Sequence, residues 1–191
     1  MLSGWEQADS ITVDCHKWLN VPYENAFFLV KKEHQQLQVQ SFQNSNAPYL
    51  GNPLENFSYL NLLPENSRRL KALPVWFSLK AYGAKGYQEI VEHCIDMAKM
   101  LGDFVEENEN FELLAPVRLN TVCFTLSGHT QQEKLDAYLH TLNKNGKVFM
   151  TPTVYNNKKA IRAAFVNWRT SEADIRIAIT EMKAALQTIK P

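Results

Sequence analysis

Lys17 stands in the run Asp14-Cys15-His16-Lys17-Trp18-Leu19-Asn20-Val21-Pro22, between two apolar, strand-like stretches. A lysine flanked by an imidazole and an indole at the end of a strand suits an amine held still and partly out of water. Burial disfavours the ammonium form and lowers a lysine's pKa, and the neutral amine is a nucleophile that condenses with aldehydes. His16 has two readings, a donor to an anionic ligand or a packing partner of Trp18. Asp14 fixes nearby backbone amides or orients His16. Tyr49, in Asn46-Ala47-Pro48-Tyr49-Leu50-Gly51, offers a phenol that serves as an acid once held within hydrogen-bond reach; its other reading is a surface aromatic. Ser67, in Ser67-Arg68-Arg69, precedes a helical pattern, so it is either a helix N-cap or a hydroxyl beside amides that suit a phosphate. His93, His129, His140 and the cysteines Cys15, Cys94 and Cys123 have no partners at catalytic or metal-ligand spacing, so no metal is expected.

The elements that must position these groups follow from periodicity. Ile11, Val13 and Cys15 alternate with polar neighbours, which predicts a strand over 10–15. Ala26-Phe27-Phe28-Leu29-Val30 is continuously apolar, as expected of a strand buried on both faces. The two strands are too few to make a sheet, so their parallel partners are expected from other sequence or another chain. Without them the edges stay open and the lysine stays unburied. Residues 35–66 are rich in Gln, Asn, Ser and Pro with little periodicity, the composition of a functional or mobile stretch. From Ser67 the spacing of Leu70, Leu73, Phe77 and Leu79 predicts a helix ended by Gly83, with Pro74 as a kink or a first-turn residue. Tyr87 to Val105 predicts a second helix. Strands follow at 111–114 and 121–126, a helix at 131–143 closed by Gly146, strands at 147–154 and 160–166, and a last helix after Thr170-Ser171. This order predicts an α/β sandwich, one small sheet with helices packed on it.

The chain has 191 residues with Lys+Arg and Asp+Glu counts equal at 20 each, which gives no case for nucleic acid or an anionic membrane as partner. Three cysteines without framework spacing read as reduced thiols of a cytoplasmic protein. No apolar core of a signal peptide follows Met1, and no run reaches the roughly 18 apolar residues of a membrane helix.

Taken together, Ala8-Asp9-Ser10-Ile11-Thr12-Val13-Asp14-Cys15-His16-Lys17-Trp18-Leu19-Asn20-Val21-Pro22-Tyr23, Pro48-Tyr49-Leu50, Ser67-Arg68-Arg69 with Ala72-Leu73 and Trp76, Leu119-Asn120-Thr121-Val122-Cys123-Phe124 and Ile161-Arg162-Ala163 resemble the pyridoxal-phosphate-dependent group II amino-acid decarboxylases. The likeness runs from Gly4 to about Lys183 and is nearest to the bacterial members of the aromatic-amino-acid and glutamate type. It implies an α/β fold: the C-terminal end of an aspartate-aminotransferase-like large domain over 1–45, a mobile loop over 46–66, and a small α/β domain over 67–191. It implies pyridoxal 5'-phosphate as cofactor, Lys17 as the residue that condenses with it, and His16, Asp14 and Ser67 as cofactor contacts. Tyr49 would deliver a proton from a lid, Arg162 would support its strand or meet a substrate carboxylate, and the partners would be a small-molecule amino-acid substrate and a second subunit. Family members are more than twice as long, so this chain reads as their C-terminal part, a piece, a split frame or a truncation. The family's ring-stacking histidine and pyridine-nitrogen aspartate would lie upstream. The expected function is amino-acid decarboxylation, with another lyase, an aminotransferase of the same fold or a non-catalytic remnant as alternatives.

Overall fold

The computed structural model describes residues 3–43, 49, 51–56, 58–65, 67–128 and 131–189. The residues on either side of Tyr49, Asn66 and His129 lie outside the described residues. Two compact units divide at Gly83, with residues 1–83 in one and 84–191 in the other. Compactness thus divides the chain later than the expected boundary at Ser67, because the stretch after Ser67 bonds back to the lysine turn.

In the first unit β1 (Ser10–Asp14) pairs antiparallel with β2 (Ala26–Val30), from Ser10 opposite Val30 to Asp14 opposite Ala26. The two strands pair with each other, and among the described residues no third strand joins either edge. β2 is also not buried on both faces, since Leu29 is 51% exposed and Phe27 is exposed as well. Its apolar run has a cross-strand partner but no layer above it among the described residues. A helix that the spacing did not announce, α1 (Gln35–Phe42), follows a 3-10 turn. Val39 is its one buried residue, so no 3.6-residue apolar stripe marks it. Gln38 Nε2 donates to the Leu62 carbonyl at 3.1 Å and ties α1 to the 3-10 turn Tyr59–Leu62.

The long helical run α2 (Ala72–Glu107) begins in the first unit and leaves helical geometry at Gly83, where φ is 63° and ψ is −173°. That backbone is open in practice only to glycine. Helix begins at Ala72, not Ser67, for a steric reason. A start at Ser67 would put Pro74 in the interior, where it costs a hydrogen bond and clashes; a start at Ala72 keeps it in the first turn.

In the second unit, residues 84–107 of α2 are followed by β3 (Phe111–Leu113), β4 (Thr121–Leu126), α3 (Gln131–Lys144), β5 (Thr151–Tyr155), β6 (Lys158–Ala164) and α4 (Glu172–Ile189). The strands form one antiparallel sheet in the order β3-β4-β6-β5. Alternation along β4 sends Val122, Phe124 and Leu126 into one core with Leu101 and Val105 of α2, Tyr138 and Leu142 of α3, Ile161 of β6 and Met182 of α4. Phe111 packs edge-on against Phe124, ring centroids 5.6 Å apart. This is the expected sandwich of helices on a small sheet. β5 starts later than the predicted residue 147. Asn143 takes both polar groups of the Met150 backbone, Nδ2 to the carbonyl and Oδ1 from the amide, each at 2.9 Å. Lys147 reaches Glu181 at 2.6 Å. The Met150 backbone is therefore satisfied by a side chain and needs no ladder partner. α4 opens as its sequence predicts, with Ser171 N and Oγ both donating to the Asp174 carboxylate at 2.8 Å.

Candidate functional site: the lysine turn

The turn between β1 and β2 is built from backbone bonds that fix the position of Lys17. Cys15 N donates to Asn25 O at 3.0 Å and closes the base of the turn. Inside it, Lys17 N reaches Asp14 O at 3.5 Å, Asn20 N reaches Lys17 O at 2.9 Å and Val21 N reaches Cys15 O at 3.4 Å. Asn20 and Glu24 take positive φ, 56° and 69°, where the chain reverses. Two side-chain bonds hold this turn against the segment 71–78. Ser78 Oγ donates to the Leu19 carbonyl at 2.6 Å, and Asn25 Nδ2 donates to the Lys71 carbonyl at 2.8 Å. Ser78 and Asn25 are both buried. Neither was singled out from the sequence; a serine in a helical pattern and an asparagine before a strand carry no local mark of such a role.

The Lys17 side chain is 55% exposed and its Nζ lies 2.7 Å from Asp14 Oδ2. Lys17 is thus not buried in this chain, where no further strand flanks the two-stranded sheet among the described residues. Asp14 spends its carboxylate on Lys17 and not on orienting His16. The hydrogen bond from Lys17, and then its charge, hold the Asp14 carboxyl below the ordinary carboxylate value. His16 stacks face to face with Tyr23, centroids 4.3 Å apart and planes 18° apart. Trp18 Nε1 is buried without a hydrogen-bond partner among the described residues. Burial, its largest cause, raises the Cys15 thiol above its usual value, which makes that thiol inert beside the amine.

The other candidates lie apart from this arrangement. Tyr49 is 86% exposed. Ser67 is exposed and five positions before the first helical residue, so it caps no helix; its neighbour Arg68 donates to the Tyr59 carbonyl at 2.8 Å. Arg162 faces outward from β6, opposite Cys123 and Thr151. At the far end of β1, Asp9, Glu33 and His34 gather. The contact of His34 Nε2 with Asp9 Oδ1 at 3.1 Å and that of Lys31 at 3.7 Å account for this exposed group as an ion-pair cluster.

The residues present fit one end of an aldehyde cofactor. A primary amine at a braced turn, open to solvent on one side, is reachable by a carbonyl carbon, and an indole donor lies unused next in sequence. Asp14 does not suit a phosphate, because an ionised carboxylate repels a dianion; His16 and the turn's amides are the donors nearest in sequence.

The same chain resembles known proteins along nearly all of its length. It is 28% identical over 187 residues to the aromatic-L-amino-acid decarboxylase of Drosophila simulans, covering 97% of this chain and 36% of that protein. It is 30% identical over 176 residues to rat histidine decarboxylase, covering 91% of this chain and 26% of that one. The crystal structure of Catharanthus roseus tryptophan decarboxylase in complex with L-tryptophan superposes with a TM-score of 0.85 at 27% identity, over 99% of this chain and 40% of that one. The chain therefore spans well under half the length of the proteins it matches. Residues 1–127, which include the lysine turn and both bonds that brace it, match the pyridoxal-dependent decarboxylase conserved domain, and the chain belongs to that family.

Proposed function

We propose that this chain carries the amine-bearing part of a pyridoxal-phosphate-dependent amino-acid decarboxylase, a carboxy-lyase. The observation that carries the reading is the braced turn that presents Lys17 within a segment matched by the decarboxylase domain. Pyridoxal phosphate, when bound, supplies an electron sink for the bond to the departing carboxylate. Lys17 is the residue that holds its aldehyde carbon. His16, fixed by its stack on Tyr23, donates toward the phosphate end. Asp14 acts on the amine. Ser67 is a further cofactor contact, and Tyr49 is the acid that returns a proton to carbon.

The chain corresponds to the C-terminal part of the longer relatives. Residues 1–45 end the cofactor-binding domain, 46–66 link, and 67–191 form the small domain. The substrate is an amino acid, and the names of the relatives favour an aromatic or imidazole side chain. The assembled enzyme is a cytoplasmic homodimer, with Tyr49 and Ser67 serving the partner's site. No helix among the described residues is long and apolar enough to cross a membrane. Lys17 and Tyr49 are too exposed here to exclude water, so the chain alone binds without turnover, and the assembled enzyme decarboxylates.

Product analysis tests this. With pyridoxal phosphate and L-tryptophan, L-phenylalanine or L-histidine, the assembled enzyme releases carbon dioxide and the matching amine, and Lys17→Ala abolishes both. Accumulation of the keto acid would replace the lyase by an aminotransferase. Product formation that survives Lys17→Ala would remove the lysine from the mechanism.

A further inference from the structure

The salt bridge between Lys17 and Asp14 falls on the one amine that the functional reading needs. It is set by the backbone: the turn bond from Lys17 N to Asp14 O puts side chains three residues apart on the same side. The result is an Nζ–Oδ2 distance of 2.7 Å, short for an ammonium–carboxylate contact. β1 ends at Asp14, whose backbone pairs with Ala26, so the carboxylate is anchored by a strand and the amine by a turn. An ionised carboxylate at this turn does not serve an anionic ligand, which it would repel.

We propose that Asp14 is a positioning residue, the counter-ion that holds the Lys17 side chain in one orientation while no aldehyde is bound. The inference rests on Lys17 being the cofactor amine. Attack on a carbonyl needs the nitrogen lone pair, so the ammonium must first give a proton to solvent; the carbon–nitrogen bond then forms and water leaves. A carboxylate at hydrogen-bond distance engages the amine directly and so restrains the lysine from unproductive reaction. It also gives the freed ammonium a fixed place whenever the lysine is released.

Trace acetylation with acetic anhydride reads this without the cofactor: an amide forms at Nζ, acetate leaves and the amine's proton passes to solvent. Peptide mapping compares Lys17 with the exposed lysines Lys80 and Lys144 in the same sample. At about pH 7, Asp14→Asn should raise the relative acetylation of Lys17 about two- to fivefold, as expected for a half-exposed ion pair. Asp14→Glu should return it toward the parent value. About 1 M salt, which screens such a pair, should produce the same rise in the parent chain and none in Asp14→Asn. An unchanged Lys17 ratio in Asp14→Asn with an unaltered circular dichroism spectrum would overturn the proposal, and so would a parent chain indifferent to salt. The salt arm decides should the variant fold poorly. Failure of the cofactor reading is separate, because it shows as pyridoxal phosphate sparing Lys17 whatever acetic anhydride does.

Discussion

Replacing Phe124 by alanine tests whether the second unit is held by the single core described above. Phe124 is 0% exposed and sits in the central part of the sheet, on β4 between β3 and β6. Truncating a buried phenylalanine costs about 3–5 kcal/mol through lost transfer energy and the cavity left behind. The edge-to-face contact with Phe111 adds about 0.5–1.5 kcal/mol beyond area, and part of that is already inside the truncation range. The working figure is about 4 kcal/mol. Against a domain stability of about 5–15 kcal/mol, that is a quarter or more of the whole. For a unit of about 100 residues it lowers Tm by about 15–30 °C. Urea titration followed by far-ultraviolet circular dichroism measures it, with amide exchange of β4 and β6 as a local readout. Exchange there should speed up about a thousandfold if global opening governs it. Phe149→Ala, at an exposed position of the same unit, serves as control and should move stability by no more than about 0.5 kcal/mol. A loss below about 1 kcal/mol for Phe124→Ala would refute the packing on which the helix-on-sheet description depends.

Gly83→Ala should destabilise by about 1–3 kcal/mol, read as a lower midpoint in the same titration, because φ 63° with ψ −173° excludes a Cβ. Equal stability would mean that the helical run passes residue 83 without that break. Burial raises the Tyr138 phenol above its ordinary value of 10.0. The folded state therefore keeps the proton that the unfolded chain releases. This stabilisation is fully present below about pH 10 and is lost as pH rises further. Tm should fall more steeply above that pH in the parent chain than in Tyr138→Phe, and parallel curves would contradict the burial.

Much of this architecture is legible in the chain because burial follows simple periods. The three-to-four spacing from Tyr87 to Val105 and the alternation Val122, Phe124, Leu126 mark the helix and strand that make the core, and the order of elements in the second unit follows from them. The Lys17 turn is legible for another reason, an unusual cluster of residue types next to a strand. What escapes notice is decided across distance. α1 carries only Val39 inward. The start of β5 is set by Asn143 capturing Met150, and the start of α2 by where Pro74 can be tolerated. The Ala26–Val30 run reads as doubly buried, yet it faces solvent, since apolar composition reports the layers a strand is suited to and not those that cover it here. Asp14 is visible as a charge beside the lysine, but the turn geometry that turns it onto Nζ is not.

The most direct measurement is chemical. The chain is equilibrated with pyridoxal phosphate, reduced with borohydride, digested and mapped for pyridoxyl-lysine. The account predicts a single dominant modification at Lys17, exceeding that of lysines such as Lys85 that are far more exposed, and its disappearance in Lys17→Ala. Label distributed in proportion to exposure, with Lys17 unremarkable among the other lysines, would contradict it.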